Sequence, residues 1–330
     1  MNILLTGATG FLGFRTLERL VQLSNVQKIV ATGRILRKSR EILNPKVEYV
    51  LGDLKDKLFV STILKDIDIV INTASLSSPW GSEDDFYLAN VLTQKHIISS
   101  SEILGVNRFI YISSPSIYYN GEDRIMVKEK DPLPTRFVNN YSKTKREAEV
   151  LLENSKLNYI IIRPRAIIGR GDTVIMPRLI KAHSKGSLKI IGDGKNMVDL
   201  TSVDNVVESI ILSIHAPSKA LNDAYNITNG NPVSLWDSIN IVLKGIGKEQ
   251  VNKTVKFRVA YLAASILEWV SWIIKKEPSL TKYSVGVLSK TFTLDISKSK
   301  ELLNYKPIVS TEESIEEFIN WYNENENESN

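Results

Sequence analysis

The chain has 330 residues, enough for one large or two ordinary domains with a substantial hydrophobic core. Hydrophobic residues make up 43% of it, charged residues 24%, and the net charge is +5, so the composition excludes a mainly disordered protein. The basic residues are scattered, which argues against nucleic-acid binding. Because the sequence has no cysteine, disulfides, thiolate metal sites and a cysteine nucleophile are excluded, and we expect a cytoplasmic protein.

Short β-branched runs alternate with helical stretches through the first half of the chain, a pattern typical of βαβ units around a parallel sheet. The runs predict six strands, at residues 2–6, 28–32, 47–51, 67–73, 108–113 and 159–163. Between them the apolar periodicity predicts helices at residues 11–23, 55–64, 86–104 and 142–154. The predicted fold class is therefore α/β, with a doubly wound parallel sheet.

The rhythm of the sequence changes after Pro164, where glycine and proline interrupt shorter elements and indicate a second, smaller lobe. We expect residues 1–168 to form the sheet domain, with a returning segment near 200–228. Residues 169–199 and 229–322 are predicted to form a C-terminal substrate lobe. The segment 323–330 contains only Asn, Glu and Ser, so we expect a flexible tail.

A glycine-rich turn follows the first predicted strand and opens the first predicted helix, which is the context of a dinucleotide-binding site. Its glycines let the backbone approach a pyrophosphate, and the helix N-terminus offers free N–H groups. The residues expected to contact the cofactor there are Gly7, Thr9, Gly10, Phe11, Leu12 and Gly13.

The residue at the end of the second predicted strand favours NADP over NAD. Arg34 stands where an NAD enzyme usually carries a carboxylate for the ribose 2′-hydroxyl, and a guanidinium can pair with a 2′-phosphate. Arg15, Arg37 and Lys38 could add positive charge nearby. The alternative is that Arg34 belongs to a solvated basic loop, which leaves NAD open.

Asp53 and Leu54 close the third predicted strand, where a second cofactor contact is expected. The carboxylate of Asp53 could hydrogen-bond the adenine amino group. Equally, it could cap the helix predicted to begin at Lys55.

Tyr141 and Lys145 stand four residues apart near the start of a predicted helix, so both side chains can point at one site. A neighbouring ammonium favours the ionised form of a phenol, which would bring the pKa of Tyr141 toward the working range of an acid or base. Ser114 follows the fifth predicted strand, at the sheet edge where doubly wound folds bind their ligands. Ser114, Tyr141 and Lys145 are the predicted catalytic residues.

Taken in this order, the glycine turn, the Ser-ended strand and the Tyr-x-x-x-Lys helix resemble the extended short-chain dehydrogenase/reductase family over nearly the whole chain. That family also includes NAD-dependent epimerases and dehydratases. The resemblance implies a Rossmann domain and oxidoreductase chemistry at a CH–OH or C=O group with a nicotinamide cofactor. Further cofactor contacts implied by it are Thr73, Ala74, Ser75, Asn90, Tyr141, Lys145 and Pro164.

The sequence departs from that family after Asn90. Where the family commonly has Asn-Val-x-Gly-Thr, this chain has Asn-Val-Leu-Thr-Gln, with Thr93 and Gln94 in the last two places. Close packing of this helix must therefore differ.

Within the family, the closer likeness is to the 3β-hydroxysteroid dehydrogenase and sterol-decarboxylase branch and to bacterial 2-alkyl-3-oxoalkanoate reductases. The segments that carry it are 79–82, 84–87, 113–116, 192–199, 203–205, 225–230 and 295–298. It implies NAD(P)H-dependent reduction of a ketone in a hydrophobic substrate such as a 2-alkyl-3-oxoalkanoate. The residues expected near that substrate are Trp80, Ser114, Ser116 and Ile167.

The rival from another class is a cofactor-binding regulatory protein without turnover, against which the intact set of Ser114, Tyr141 and Lys145 argues. Two other enzymatic functions also stay open at this point. One is a 3β-hydroxysteroid or sterol dehydrogenase, and the other is a nucleotide-sugar epimerase or dehydratase. Nucleotide-sugar enzymes typically carry an arginine, to hold the diphosphate, where this chain has Val198.

Residues 257–276 form an apolar stretch that ends in Lys275 and Lys276. It has three interpretations: a core helix of the small lobe, a lid over an apolar pocket, or a peripheral contact with a membrane surface. Its most apolar part, 261–274, is shorter than the roughly 20 residues needed to span a bilayer. The protein is therefore expected to be cytoplasmic and, in the third interpretation, membrane-associated.

The three histidines, His96, His183 and His215, are isolated from one another and from carboxylates, so we expect no metal site. The family resemblance implies a homodimer built on the helices near Phe86 and Ser142.

Overall fold

The structure is a computed structural model that describes residues 1–327. Its main sheet has seven strands: β1 (Asn2–Thr6), β2 (Lys28–Thr32), β3 (Val47–Tyr49), β4 (Ile69–Asn72), β5 (Arg108–Ile112), β7 (Tyr159–Pro164) and β12 (Asp223–Ile227). Their order is β12-β7-β5-β4-β1-β2-β3, and every pair is parallel. The chain order reverses between β1 and β4, which opens a crevice at the carboxyl ends of these strands.

Helices cover both faces of the main sheet, because its β-branched strand residues are apolar on both sides. One face packs against α1 (Phe11–Leu20) and α7 (Val203–Ile214). The other packs against α2 (Lys57–Ile63), α4 (Thr93–Leu104) and α5 (Asn140–Glu153). The predicted doubly wound α/β fold is confirmed.

The smaller lobe contains a four-stranded sheet formed by β6 (Arg124–Val127), β10 (Met197–Val198), β13 (Val233–Ser234) and β15 (Phe292–Leu294). The order of its strands is β13-β10-β15-β6. Two short parallel pairs join β8 (Ile167–Ile168) to β11 (Thr201–Ser202) and β9 (Ile190–Ile191) to β14 (Thr254–Val255).

The remaining helices are short or lie in the second half of the chain. They are α3 (Glu83–Phe86), α6 (Met176–Ser184), α8 (Leu235–Gly245), α9 (Phe257–Ile274), α10 (Lys282–Ser289), α11 (Ser297–Leu302) and α12 (Thr311–Asn327). Three 3-10 turns occupy Lys38–Arg40, Pro115–Tyr118 and Ser218–Ala220.

The chain crosses between the two sheets more often than the predicted boundaries imply. The seventh main-sheet strand, β12, falls in the predicted returning segment. Strand β6, by contrast, lies within the first 168 residues but pairs with β15 in the sheet of the smaller lobe. In the opposite direction, Ile296, Leu303 and Tyr305 pack into the core of the main sheet. These contacts join residues that lie far apart in sequence, so local composition did not reveal them.

The expectation of a flexible tail from residue 323 is wrong for its first part. Helix α12 continues to Asn327, and the side-chain amide of Asn323 donates to the carbonyl of Gly245 at 3.2 Å. Residues 328–330 lie outside the described residues.

Candidate active site

Two glycines allow the turn after β1 to pack tightly against its neighbours. Gly7 has a φ of 68°, and a Cβ there would lie 2.7 Å from the hydroxyl of Thr73 and 2.8 Å from the backbone nitrogen of Ala74. A Cβ on Gly13 would lie 2.1 Å from the carbonyl oxygen of Gly7. The glycine turn therefore lies directly against the end of β4, where Thr73 and Ala74 were predicted as cofactor contacts.

The N-terminus of α1 suits a dinucleotide phosphate. Gly10 is its N-cap residue, no side chain caps the helix, and its first turn contains no acidic residue in this fully described segment. The N–H groups of Phe11 and Leu12 have no partner within the helix, as in any first helical turn. Together with the tight turn at Gly7, these free N–H donors suit the pyrophosphate of a nicotinamide dinucleotide.

Arg34 and Asp53 lie at the neighbouring ends of β2 and β3, and both side chains are exposed. Partial burial opposes ionisation of Asp53, but hydrogen bonds from Lys55 and the charges of Lys55 and Arg34 lower the pKa of this carboxyl group. Asp53 does not cap α2, because the N-cap is Asp56, whose side chain accepts from two backbone N–H groups. The capping alternative for Asp53 is therefore wrong.

Arg15 does not supply charge beside Arg34, so that expectation is wrong. Its guanidinium bonds both carboxylate oxygens of Asp204 at 2.7 and 2.8 Å and also contacts Glu18 and Glu317. Only 9% of its side chain is exposed. Arg15 thus joins α1 to α7 and α12 through ion pairs and is not available to bind the cofactor.

Arg40 contacts the glycine turn, a role that the sequence analysis missed. Its guanidinium donates to the carbonyls of Thr9 and Gly171, at 3.2 Å each. The only sequence signal was its place in the basic cluster that begins at Arg34. This side chain ties the turn to the start of the second lobe.

Asn90 connects the loop after β4 to the helix that carries Tyr141. Its amide nitrogen donates to Thr144 Oγ1 at 3.1 Å, and its amide oxygen accepts from Ser75 Oγ at 3.2 Å and from the backbone of Leu76 at 2.8 Å. Asn90 is buried, so these bonds hold the loop of Ser75 in place.

The unusual sequence after Asn90 coincides with an unusual helix. Residues Tyr87–Leu92 form a π-helical segment between α3 and α4, a widened geometry that is often found at functional sites. The larger Gln94 is fully buried, and its side-chain oxygen accepts from Asn72 at 2.6 Å. Its side-chain nitrogen is buried without an acceptor in the described chain.

Ser114 and Tyr141 meet at the carboxyl end of β5. Ser114 begins the 3-10 turn after that strand, and Tyr141 lies in the first turn of α5, whose N-cap is Asn139. Burial is the strongest influence and raises the pKa of Tyr141 to about 12, while the Ser114 hydroxyl acts in the opposite direction. Without a cofactor, the phenol therefore keeps its proton at neutral pH.

Lys145 lies one turn after Tyr141 on the same helix and is buried. Its Nζ donates to the carbonyl of Ile112 at 2.5 Å and lies 4.4 Å from the centre of the Tyr111 ring. Burial lowers the pKa of Lys145 to about 7, although Glu149 acts in the opposite direction. The expected reduction of the pKa of Tyr141 by a neighbouring ammonium is therefore not seen in this structure.

A largely apolar cavity of about 320 Å³ opens beside Ser114 and Tyr141. Of the other predicted site residues, Ser116 and Pro164 line it, whereas Trp80 and Ile167 do not. Ile167 instead belongs to β8, and its backbone pairs with β11. Trp80 and Ile167 are thus not part of this cavity wall, and their contact with the substrate stays a prediction.

Several residues of the cavity wall were not predicted as site residues. Arg165 follows β7, and Tyr283 and Leu288 come from α10, about 120 residues further along the chain. The signal for Arg165 was an arginine directly after a buried strand and Pro164. No local pattern could have placed α10 here, because its position depends on its packing against α9 and β9.

Helix α9 carries several strongly exposed apolar side chains. Among its residues, Leu262 is 63% exposed, Trp269 67% and Trp272 78%. Only Ala260, Ala264 and Ser271 are buried in it. By length and composition alone this helix is able to cross a membrane. Simple packing within the small lobe therefore does not account for its outer face.

Within residues 1–327, no three His, Asp or Glu side chains are close enough together to hold a metal ion.

The fold and the arrangement of side chains define a class. A doubly wound sheet, a glycine turn that fits a dinucleotide, and a Ser–Tyr pair backed by a lysine are the features of a nicotinamide-dependent oxidoreductase of the short-chain type. The comparisons with known proteins identify the family.

The model of the 3-beta hydroxysteroid dehydrogenase/isomerase family matches residues 4–259. A 2-alkyl-3-oxoalkanoate reductase of Stenotrophomonas maltophilia is 31% identical, covering 96% of this chain and 97% of its own. A mouse sterol-4-alpha-carboxylate 3-dehydrogenase is 30% identical, covering 95% and 88%. The UDP-glucuronic acid 4-epimerase of Bacillus cereus, solved with NAD, shares the fold with a TM-score of 0.76 at 24% identity, covering 98% and 99%.

The chain therefore belongs to the 3-beta hydroxysteroid dehydrogenase/isomerase family, within the extended short-chain dehydrogenases/reductases. The predicted family resemblance and the oxidoreductase class are confirmed.

Proposed function

We propose that this protein is an NADP(H)-preferring reductase that converts the ketone of a hydrophobic 2-alkyl-3-oxoalkanoate to the alcohol. The observation that carries the proposal is the placement of Ser114 and Tyr141 together on the wall of a largely apolar cavity. Relatives of the chain bear the name of this activity and of a sterol-carboxylate dehydrogenase, so both names describe a 3-oxygenated carboxylic acid.

The residues of the chain supply the proton and the orientation of the substrate. Ser114 donates a hydrogen bond to the ketone oxygen, and Tyr141 transfers its proton to that oxygen. A bound nicotinamide supplies the hydride that reaches the carbonyl carbon. Because the pKa of Tyr141 is raised to about 12, the phenol is protonated and ready for reduction at neutral pH.

Lys145 and Asn90 position this pair rather than touch the ketone. Lys145 lies one helical turn after Tyr141 and donates to the Ile112 carbonyl, and we expect it also to contact the ribose of the cofactor. Asn90 bonds Thr144 on the same helix, one residue before Lys145. Together they fix the start of α5 against β4 and β5.

The cavity is less suited to a nucleotide sugar. Val198, at the position where nucleotide-sugar enzymes carry an arginine, is buried and lines the cavity. A diphosphate there would lose a charge-assisted pair. A hydroxysteroid would fit the apolar walls, so it is kept as a competing substrate in the test.

The first test is the oxidation of NADPH and of NADH by purified protein. The substrates are a long-chain 2-alkyl-3-oxo acid, a 3-oxosteroid and a UDP-sugar, each followed by nicotinamide absorbance. We expect NADPH oxidation with the acyl substrate. Activity only with the steroid or the sugar would contradict the proposed substrate class. Tyr141→Phe is the control variant, with a loss of roughly 100-fold or more in kcat and nearly unchanged NADPH affinity.

The preference for NADP rests on Arg34. It is exposed at the end of β2, and Asp53 is the carboxylate on which its charge acts. In the same assay, Arg34→Ala is expected to raise the KM for NADPH about tenfold, the loss of one charge-assisted pair, while the KM for NADH stays the same. An equal effect on both cofactors would contradict the preference.

We further propose that α9 lies in the surface of a membrane. Its buried face is held along its length, because Ala260, Ala264 and Ser271 are all buried and Glu268 accepts from the backbone of Lys282 on α10. A helix fixed sideways to its own lobe cannot cross a bilayer. Its outward tryptophans and the exposed Lys275 and Lys276 match an anionic interface.

This placement also serves the substrate. α10 packs against α9 on one side and lines the cavity with Tyr283 and Leu288 on the other. Only α9 and α10 would thus lie between a hydrophobic acyl substrate in the bilayer and the proposed site.

Finally, we propose that the protein is a homodimer. The exposed apolar side chains Tyr87, Leu88 and Val150 lie on two helical segments that pack side by side. Light scattering of the purified protein measures the mass, and Val150→Asp is expected to shift it from dimer to monomer.

A further inference from the structure

Arg165 is a buried cation on the wall of the cavity. Only 7% of the residue is exposed, and its guanidinium lies 4.5 Å from the centre of the Phe292 ring. Its Nε is buried without a hydrogen-bond acceptor, and no carboxylate of the described residues lies within ion-pairing distance of the group. The side chain thus enters the cavity region with its donors unpaired.

Two arginines elsewhere in the described chain form ion pairs through their terminal guanidinium nitrogens, although the Nε of Arg15 is also without a partner. Two residues earlier, within β7, Arg163 donates to both oxygens of Glu149 at 2.8 Å each. Arg15 is similarly held by Asp204. Arg165 differs from both, because none of its guanidinium nitrogens has a hydrogen-bond or ion-pair partner among the described residues.

An unpaired buried guanidinium is costly, and burial accordingly lowers the pKa of Arg165. Asp199 attracts it electrostatically but bonds elsewhere, to the backbone N–H of Leu294 at 2.8 Å. Burial also raises the pKa of Asp199 to about 6. An anion in the cavity would satisfy Arg165 where the protein itself does not.

Ser116 provides a second unpaired donor on the same wall. It is 4% exposed, and its hydroxyl has no hydrogen-bond partner in the described residues. Its backbone N–H donates to Ser114 Oγ at 3.2 Å, so Ser116 and the proposed catalytic hydroxyl belong to one turn.

We propose that Arg165, assisted by the Ser116 hydroxyl, binds the carboxylate of the substrate. This inference rests on the proposed function, since it gives the 3-oxo acid its second point of attachment. In such an acid a single carbon separates the carboxylate from the ketone carbon. Anchoring the carboxylate at Arg165 therefore fixes the ketone relative to Ser114 and Tyr141, which line the same cavity.

The remaining walls suit the alkyl part of such an acid. The apolar lining residues are Ala166, Val174, Ile175, Leu179, Leu200 and Leu288. The second arginine of the lining, Arg178, is half-exposed and lies 3.8 Å from Glu277, so its charge is shared. One unpaired guanidinium and one hydroxyl match a singly charged, planar carboxylate better than a diphosphate.

The kinetic test compares an acid with its neutral ester. The substrates are a 2-alkyl-3-hydroxy acid and its methyl ester, oxidised with NADP⁺ by the full-length enzyme. Arg165→Gln is expected to lower the acid-to-ester ratio of kcat/KM about 10- to 100-fold, the value of a charge-assisted hydrogen bond, with most of the loss in KM. Arg165→Lys keeps the charge and should recover part of the ratio.

Arg19→Gln is the matched control, because Arg19 is an exposed arginine on α1 whose removal changes the net charge equally. Its acid-to-ester ratio should equal that of the unmodified enzyme. An Arg165→Gln ratio that also stays unchanged would overturn the carboxylate site, whatever happens to the absolute rate.

A binding measurement separates this inference from the proposed reaction. Calorimetry with a saturated 2-alkyl fatty acid and the matching fatty alcohol needs no turnover. We expect Arg165→Gln to weaken the acid about 10-fold or more relative to the alcohol. If acid binding depends on Arg165 but the enzyme does not reduce the ketone, the proposed reaction is wrong and the carboxylate site stands. If Arg165→Gln weakens the binding of the acid and of the alcohol equally, the carboxylate site is wrong and the proposed reaction stands.

Discussion

At the scale of single residues, burial controls the chemistry of the proposed site more than sequence neighbours do. Tyr141 and Lys145 are one helical turn apart, yet burial moves the pKa of the phenol up to about 12 and that of the ammonium down to about 7. In both cases the neutral form is favoured. A cofactor that brings positive charge to Tyr141 would act against this effect.

The shifted pKa of Lys145 predicts a pH dependence of stability. Burial lowers this pKa from 10.5 to about 7, so between these values the unfolded chain binds a proton that the folded protein lacks. The free energy of unfolding must then rise with pH between about 7 and 10.5. Below pH 7 both states bind the proton, so Lys145 adds no further pH dependence there. The stability of the protein relative to Lys145→Met should increase from pH 7 to pH 10 in urea titrations.

The paired measurement removes the effect of all other titrating groups, because both proteins share them. A difference between the two unfolding free energies that is flat, or that falls as the pH rises, would show that Lys145 stays charged in the fold.

At the scale of elements, two helices deviate from regular amphipathic behaviour. The π-helical segment Tyr87–Leu92 occurs beside Asn90, where a polar side chain must reach both Ser75 and Thr144. Helix α9 instead keeps a regular geometry but presents an apolar face to the outside. Its composition resembles a core helix, and only its packing shows which residues are exposed.

The exposure of α9 predicts binding to lipid vesicles. Replacing Trp269 and Trp272 together with Ser removes two large exposed apolar side chains and should weaken binding to phosphatidylglycerol vesicles at least about tenfold. Co-sedimentation with vesicles measures the bound fraction. Because both side chains are exposed, the fold should tolerate the change.

The matched control is Leu43→Ser, since Leu43 is 91% exposed and lies in the other lobe. It should bind vesicles as the unmodified protein does. Equal binding by the tryptophan variant would mean that α9 makes no lipid contact.

At the scale of the whole molecule, a charge cluster joins α1, α7, α12 and the loop after β8. Arg15 and Arg170 are surrounded by Glu18, Asp204 and Glu317, with N–O distances of 2.7 to 3.1 Å for the shortest contacts. Burial raises the pKa of Glu18 and of Glu317. The cluster thus fastens the C-terminal helix to the cofactor-binding helix.

Removing the central cation should destabilise the protein more than removing one carboxylate. Arg15→Met leaves three acidic groups with Arg170 as their one recorded cation and removes the recorded ion-pair partner of Asp204, so it should lower the free energy of unfolding by about 3 kcal/mol. Glu317→Gln, whose side chain is 30% exposed, should cost about 1 kcal/mol or less. Urea unfolding at neutral pH measures both, and the reverse order would mean that Arg15 is not the centre of the cluster.

Much of the main sheet could be predicted from sequence, because hydrophobic periodicity and glycine turns act over a few residues. The first two strands have the predicted bounds, and β3, β4 and β5 differ from them by two residues or fewer at each end. The glycine turn and the Ser–Tyr–Lys set were also visible, since each depends on spacing within one strand or helix.

What only the tertiary structure decided is which charges are compensated and which apolar residues are covered. Arg15 was expected beside Arg34 and instead bonds Asp204, 189 residues away, while Arg165 has no such partner. The cavity wall from α10 and the exposed face of α9 depend on packing between distant segments. Local sequence determines elements through short-range backbone preferences, whereas burial and electrostatic pairing arise only when remote elements meet.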